Sequence, residues 1–123
     1  METKLVTIMK PNFIHDDQRG TLIQLVREGY RQFNVVTTHA GVFRGGHYHK
    51  INKEAFFVIA GEFRLLLDKD DIHEEYIFKS GDMFEIEPYV LHGFEYIKES
   101  TLVAMYDIGV ELADGGMDSY TLQ

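Results

Sequence analysis

Hydrophobic and polar residues alternate along much of this chain with a period of two. Phe63, Leu65 and Leu67 occupy every second position, and a single glutamate separates Phe84 from Ile86. Successive side chains of a β-strand point to opposite faces, so this alternation predicts strands that bury one face. No segment has the 3.6-residue apolar periodicity of a helix. The pattern therefore predicts an all-β protein.

Turn-forming residues recur between the alternating stretches, among them Gly20, Gly41, Gly61 and Gly81. Short strands separated by frequent turns are typical of a sandwich or a barrel, and a jelly-roll is the simplest arrangement. The predicted strands are residues 6–9, 21–27, 33–38, 46–50, 55–60, 62–68, 73–78, 83–86, 93–96 and 102–107. The segment after Gly115 is expected to be a mobile or edge-packed extension.

Length and composition narrow the class of protein. At 123 residues, with 45% hydrophobic and 26% charged residues, the chain is expected to form one domain over residues 1–123. It has no apolar run long enough to span a bilayer and no basic-plus-apolar signal segment, so no membrane partner is expected and the cytoplasm is the predicted location. The net charge of −8 argues against nucleic-acid binding, which needs a basic surface. An apolar N-terminal strand, residues 5–9, is predicted to pair with the sheet edge of a second subunit, giving a homodimer.

Candidate metal ligands are concentrated in residues 41–61, which read G-x5-H-x-H-x4-E-x6-G and contain His47, His49 and Glu54. Residues 81–96 follow the pattern G-D, then P-x3-H, and supply His92. His47 and His49 are two residues apart, so on a strand both point to the same face. Three imidazoles and one carboxylate suit a divalent ion such as zinc, iron, manganese or nickel. The absence of cysteine excludes thiolate ligands.

The surroundings of these ligands are also predicted from the sequence. Four apolar residues near the motifs are expected to line a cavity beside the ligands, namely Phe56, Val58, Phe94 and Met105. The Gly45–Gly46 pair precedes the histidines and is expected to permit a bulge or a close backbone approach.

Together the two motifs resemble the signature motifs of the cupin superfamily, small β-barrels that hold a metal or a sugar substrate. Residues 17–22, DQRGTL, resemble the D-x-R-G-x-[LF] segment of cupins that modify nucleotide-linked sugars. Residues 41–49 resemble the G-V-x-R-G-x-H-x-[HQ] segment of the same group. That group includes dTDP-4-dehydrorhamnose 3,5-epimerases, dTDP-keto-hexose 3,4-ketoisomerases and the cupin domain of bifunctional capsular polysaccharide enzymes. The last of these also shares a closing D-x-Y, here Asp118 to Tyr120.

This resemblance implies a single-domain cupin jelly-roll barrel whose substrate is a nucleotide-sugar. It also implies that Arg19 and Arg44 grip the diphosphate through forked hydrogen bonds, and that His47 corresponds to the general base of metal-free epimerases. A histidine that coordinates a metal cannot also accept a substrate proton with the same lone pair. Either His47 is a ligand and the base lies elsewhere, for example at Tyr96, or the site is metal-free and His47 is the base.

Three functions follow from these observations. The first is a metal-binding epimerase or isomerase, acting on a nucleotide-linked keto-sugar in surface polysaccharide biosynthesis. The second is an iron-dependent dioxygenase, since two histidines and one carboxylate are a ligand set that supports oxygen activation. The third is a non-catalytic cupin that binds a sugar or a metal.

Overall fold

The computed structural model describes residues 5–121, which form twelve β-strands and no helix. The strands are β1 (Thr7–Met9), β2 (Phe13–Asp17), β3 (Gly20–Gln24), β4 (Gln32–Thr38), β5 (Phe43–Tyr48), β6 (Glu54–Ala60), β7 (Glu62–Lys69), β8 (Ile72–Lys79), β9 (Met83–Ile86), β10 (Leu91–Tyr96), β11 (Ser100–Tyr106) and β12 (Tyr120–Thr121). The predicted all-β class is confirmed. Over this range the chain contains no helix with the length and apolar character needed to cross a membrane.

Two five-stranded sheets enclose the interior. Sheet 1 has the order β1-β9-β6-β11-β4 and sheet 2 has the order β12-β5-β10-β7-β8, with antiparallel pairing throughout. Strands β2 and β3 form a separate hairpin. From β5 to β11 the chain passes repeatedly from one sheet to the other, as in a jelly-roll.

The alternating residues of β7 fill the interior as expected. Phe63, Leu65 and Leu67 are fully buried, whereas Arg64 on the opposite face is exposed. The ring of Phe84 from sheet 1 stacks on Phe78 from sheet 2 with centroids 4.2 Å apart. Each such side chain contributes about 1.5–3 kcal/mol when it is removed from water. The core is therefore built from both sheets at once.

One predicted cavity residue faces the other way. Along β11, Ala104 and Tyr106 belong to the interior cluster, so Met105 between them points to the outer face of sheet 1. There it packs in a second apolar cluster that includes Phe57 and Met83. Val58 is fully buried within the main core and is not among the residues that line the cavity beside the histidines. The expectation that Met105 and Val58 line the cavity is therefore wrong.

The predicted strands miss the first half of the β2–β3 hairpin. Phe13–Asp17 pairs along its length with Gly20–Gln24. Its sequence, FIHDD, places apolar residues side by side and ends in acidic residues, so it shows no period-two signal. The strand forms because the tight turn before Gly20 brings the two segments into register.

Both ends of the described chain pair with strands of the same chain. Thr7–Met9, the strand expected to pair with a second subunit, lies at the edge of sheet 1 against β9. At the other end, Tyr120–Thr121 pairs with β5. The tail is therefore packed on the sheet edge, one of the two alternatives predicted for it.

Candidate functional site

Strand β5 carries two of the four predicted ligands. The imidazole centroids of His47 and His49 lie 5.4 Å apart on the interior side of the strand. Between them, Tyr48 packs on the opposite face against Tyr89 and Tyr120. The i, i+2 spacing thus sends both imidazoles into the barrel, as the pattern predicted.

A glycine brings His92 onto the same site. His92 on β10 pairs in register with His47, and the register shifts between His92 and Gly93. Gly45 has a φ of 109°, and a Cβ atom there would lie only 2.7 Å from the carbonyl oxygen of His92. Only glycine permits this approach, which confirms the bulge predicted for the Gly45–Gly46 pair.

The four predicted ligands converge around one point. The potential donor atoms of His47, His49 and His92 all lie within 4.8 Å of one another. The Oε1 atom of Glu54 lies 2.9 Å from Nε2 of His49 and 3.5 Å from Nε2 of His92. Glu54, His49 and His92 are all buried, whereas His47 is half-buried.

Backbone carbonyls determine which nitrogen of two histidines faces the centre. Nδ1 of His49 lies 2.6 Å from the carbonyl oxygen of Asp118, and Nδ1 of His92 lies 3.0 Å from that of Val90. A carbonyl oxygen only accepts, so each Nδ1 carries a proton and each Nε2 faces the centre, where that of His49 bonds to Glu54 and that of His92 has no partner. Metal-binding histidines are held by this kind of second hydrogen bond.

Nε2 of His92 is the one buried side-chain polar atom in residues 5–121 without a hydrogen-bond partner. An unsatisfied buried polar atom costs about 1–3 kcal/mol. Nε2 of His92 and Oε1 of Glu54 are separated by 3.5 Å, about the spacing of two donors that each lie about 2.0–2.2 Å from a shared tetrahedral ion. The residues present therefore fit a divalent metal.

Burial and charge set the protonation of the site. Burial, followed by the neighbouring His92 and His49, lowers the pKa of His47 to about 4, so its imidazole is neutral at pH 7. Burial disfavours the charged form of Glu54, but hydrogen bonding with His49 and the proximity of His92 outweigh it and lower the pKa of the carboxyl. Burial likewise opposes protonation of His49, yet its hydrogen bond to Glu54 raises the pKa of the imidazole.

The ligands open onto a cavity of about 320 Å³ inside the barrel. Phe56 and Phe94, both predicted to line it, contribute apolar walls. Arg44 lines it as well, and its Nε donates to the Thr38 hydroxyl at 2.7 Å. A cavity with apolar walls and a few convergent polar groups is typical of a small-molecule site.

Tyr96 and Arg19 differ in where the structure places them. Tyr96 is buried and lines the cavity; burial raises the pKa of its phenol, although Thr38 and Arg44 oppose that shift. Arg19 lies on the β2–β3 hairpin, 80% exposed, with Nη2 2.6 Å from Asp17. It lines a separate shallow cleft on that hairpin. Within one chain, Arg44 reaches the cavity and Arg19 does not.

Tyr106 is a cavity residue that sequence reasoning missed. It lies directly opposite Glu54 in the β11–β6 register, and its ring meets His49 edge-on with centroids 5.5 Å apart. Burial, the charge of Glu54 and hydrogen bonding with that carboxylate raise the pKa of the phenol. The alternation along β11 placed residue 106 on the inner face, but nothing local indicated the pairing with β6.

Comparisons with known proteins agree with this architecture. A curated relative, a UDP-2-acetamido-2,6-beta-L-arabino-hexul-4-ose reductase of Pseudomonas aeruginosa, is 44% identical over 52 residues. That match covers 42% of this chain and 14% of the relative, so the chain corresponds to a small part of that protein.

Solved structures with a similar fold include a 3,4-ketoisomerase and an epimerase. A 3,4-ketoisomerase from Thermoanaerobacterium thermosaccharolyticum, in complex with TDP-4-keto-6-deoxyglucose, has a TM-score of 0.80 at 15% identity, over 98% of this chain and 90% of that chain. An RmlC epimerase from Mycobacterium tuberculosis has a TM-score of 0.76 at 16% identity, over 99% of this chain and 70% of that chain. These similarities confirm the predicted jelly-roll fold.

The family model of the polysaccharide biosynthesis C-terminal domain matches residues 15–109. The match spans both histidine motifs and most of the barrel. The chain belongs to the polysaccharide biosynthesis C-terminal domain family.

Proposed function

We propose that this protein is a metal-dependent epimerase or isomerase acting on a nucleotide-linked keto-sugar in surface polysaccharide synthesis. The observation that carries the proposal is the convergence of His47, His49, His92 and Glu54 at the floor of a cavity that also holds Arg44. The family and the sugar-nucleotide enzymes among the similar folds support the substrate class.

In this proposal His49, His92 and Glu54 hold the metal. The Nδ1 atoms of both histidines are tied to backbone carbonyls, so each Nε2 faces the centre, and a bound ion would take the place of the proton between Nε2 of His49 and Glu54. A bound divalent ion would polarise the sugar ketone and stabilise negative charge on its oxygen. In the described part of the chain, His47 makes no comparable bond to a carbonyl, and it remains half-buried beside the cavity.

Two cavity residues are assigned to proton transfer. A C–H bond next to a ketone is acidic enough for a positioned base to break it. The neutral imidazole of His47 can accept that proton, and the protonated phenol of Tyr106 can return one from another side of the cavity. The two shifts keep His47 neutral and Tyr106 protonated at neutral pH, which are the forms that a base and an acid require.

Arg44 is assigned to the diphosphate. Its guanidinium is already oriented by the Thr38 hydroxyl, and a planar fork of N–H groups matches phosphate oxygens. The net charge of −8 makes such a local cation necessary for an anionic substrate.

The test of this function is hydrogen exchange. Protein purified without a histidine tag is first subjected to elemental analysis, then incubated in deuterated water with UDP- and dTDP-linked 4-keto-sugars. We expect a bound divalent metal and deuterium at the carbon beside the ketone, detected by NMR. Protein that contains metal but exchanges no proton in any substrate would contradict the proposal.

Removing the Tyr106 hydroxyl should separate proton transfer from metal binding. We expect Tyr106→Phe to slow the exchange by roughly 10²-fold, because general acid–base groups typically contribute about 10²–10⁴-fold. The metal content should be unchanged. Tyr96→Phe is the matched control, since this phenol hydrogen-bonds with Thr38 rather than with Glu54, and it should slow exchange less. Equal losses of exchange rate in the two variants would contradict the assignment of Tyr106 to proton transfer.

A second candidate, an iron-dependent dioxygenase, is favoured by one observation. The two anchored histidines and Glu54 form a two-histidine, one-carboxylate set. Oxygen consumption by the iron-loaded protein with a small organic substrate would support this activity. An iron-loaded protein that consumes no oxygen but exchanges the proton of keto-sugars would exclude the dioxygenase.

We also propose that the protein is a homodimer. The β2–β3 hairpin and the edge strand β4 expose large apolar side chains, namely Phe13, Ile14, Leu22, Ile23, Phe33 and Val35. Apolar groups on an unpaired edge favour association with a second chain. Arg19 lies at the tip of this hairpin, so the dimer would decide whether its guanidinium reaches a cavity.

Sedimentation should detect this association. We expect a dimer for the unmodified protein and a monomer for Val35→Glu, because residue 35 is 71% exposed on β4 and a carboxylate there would be buried without a partner. Ile77→Glu, an equally apolar exposed position on β8, is the control and should remain dimeric. An unmodified protein that sediments as a monomer at all concentrations would rule out the dimer.

A further inference from the structure

A second cleft lies on the outer surface of the barrel, behind the strand that carries the histidines. It has a volume of about 290 Å³, near the lower end of the range of about 300–1,000 Å³ for ligand pockets. The cleft is lined by Tyr48, Asp68, Lys69, Asp70, Tyr89 and Leu91. From this combination of aromatic faces and carboxylates, we infer that the cleft binds a neutral sugar ring of a glycan.

An aromatic stack forms one wall of the cleft. Tyr48 lies between two other rings, with centroids 6.2 Å from Tyr89 and 5.6 Å from Tyr120. The ammonium of Lys50 lies over the ring of Tyr120, 4.2 Å from its centroid. Tyr89, at the open end of the stack, is 55% exposed. It therefore presents an aromatic surface to solvent beside the cleft.

Backbone conformation points to the same place. Among residues 5–121, the non-glycine residues with positive φ are Asp70 at 56° and Tyr89 at 70°, and both line this cleft. At Asp70 this conformation belongs to the two-residue turn between β7 and β8, but it is uncommon for a bulky aromatic residue such as Tyr89, where it concentrates at binding sites. The Tyr89 N–H donates to the carbonyl of His49 at 2.7 Å, which helps hold the ring in position.

Charge decides which class of ligand the cleft can take. Asp68 and Asp70 outnumber Lys69 along its wall, so a nucleotide or another anion would be repelled. Sugar hydroxyls donate well to carboxylates, and the C–H face of a pyranose complements the negative face of an aromatic ring. His73 holds Oδ1 of Asp68 at 2.7 Å, which orients the carboxylate.

The cleft is distinct from the cavity proposed for the keto-sugar. The two open on opposite faces of β5, because Tyr48 points outward where His47 and His49 point inward. Binding in the outer cleft therefore requires neither the metal nor turnover. NMR shifts of the cleft residues report this binding without either.

The test is an NMR titration of the full chain. The probes are the methyl glycosides of glucose, galactose and N-acetylglucosamine, a trisaccharide of each, and uridine monophosphate as an anionic comparison. We expect glycoside-induced shifts in the ring resonances of Tyr89 and Tyr48. Trisaccharides that bind more tightly than the monosaccharides would identify a polymer as the ligand, and equal binding would identify a free sugar.

The variant Tyr89→Gly tests the contribution of Tyr89 to glycoside affinity separately from its contribution to protein stability. Glycine adopts a positive φ without strain, which offsets the lost stacking on Tyr48, so the thermal stability should change little, while glycoside affinity should fall by about tenfold or more. Tyr89→Phe keeps the ring and should bind, as should the surface control Ile77→Ala. Undiminished glycoside binding by Tyr89→Gly, shifts confined to the inner cavity, or stronger binding of uridine monophosphate at the tyrosines would each overturn the inference.

Discussion

Replacing Asp118 with alanine should lower the free energy of unfolding by about 3–5 kcal/mol. The Asp118 carboxylate is fully buried and accepts hydrogen bonds from the backbone N–H groups of Lys50, Ile51 and Asn52 and from the Asn52 side chain. Its removal would leave these donors without partners in a region from which water is excluded. The loss is a large fraction of the 5–15 kcal/mol that is typical of a domain.

Urea denaturation measures this effect. Asp118→Asn, which keeps the size and one accepting oxygen, is the matched variant if Asp118→Ala does not fold, and it should be destabilised by a smaller amount. The backbone carbonyl of residue 118, which holds His49, is present in both variants, so metal affinity should suffer only through movement of the chain. Two variants as stable as the unmodified protein would show that this carboxylate does not anchor the loop.

The pH dependence of stability should reveal the same hydrogen bonding of the Asp118 carboxylate. Burial opposes ionisation of Asp118, but hydrogen bonds from Asn52 and from the backbone outweigh it and lower the pKa of the carboxyl. A group with a lowered folded-state pKa stabilises the protein above its unfolded pKa, about 3.9 for Asp, and loses that contribution as the pH falls through the folded value. The difference in stability between the unmodified protein and Asp118→Asn should therefore be constant near neutral pH and shrink below about pH 4.

The second large effect concerns His47. We expect His47→Gln to reduce proton exchange in the keto-sugar by about 10²–10⁴-fold, the usual contribution of a general base, and to retain the metal. The expectation follows from the proposal that His49, His92 and Glu54 hold the ion while His47 accepts the substrate proton. Elemental analysis and deuterium incorporation, measured on the same preparation, test both parts.

His49→Gln is the control for this experiment and should lose both the metal and the exchange. If His47→Gln also loses the metal, His47 is a ligand and the base must be sought among Tyr96 and Tyr106. If His47→Gln keeps full exchange, His47 is not the base. The three results distinguish the ligand and base alternatives that the sequence left open.

The alternation of hydrophobic and polar residues and the spacing of the motifs were enough to predict most strands and the members of the histidine cluster. The two-residue spacing of His47 and His49 places both imidazoles on one face of any strand, whatever the rest of the fold. Gly45 could likewise be interpreted from sequence, because a glycine beside a ligand strand indicates a close backbone approach. The hairpin strand Phe13–Asp17 was missed because its stability comes from pairing with β3 and its own residues do not alternate.

Contacts between residues far apart in the chain could not be predicted in this way. Tyr106 reaches Glu54 only through the register of β11 on β6. Arg19 has a sequence context that suggests phosphate binding, yet the hairpin holds it outside the cavity of its own chain. The inward orientation of a side chain is a local property, but its partner is determined by which strands pair.

The sequence alone determined the all-β class, the cupin motifs and the four residues of the candidate centre, because period-two alternation and motif spacing act over only a few residues. The tertiary structure decided which imidazole nitrogen faces that centre, since His49 is oriented by a carbonyl 69 positions away. It also decided that Asp118 anchors the loop after β5 and that Tyr106 joins the cavity. These roles depend on hydrogen bonds and sheet register between distant segments, which form only when the barrel closes.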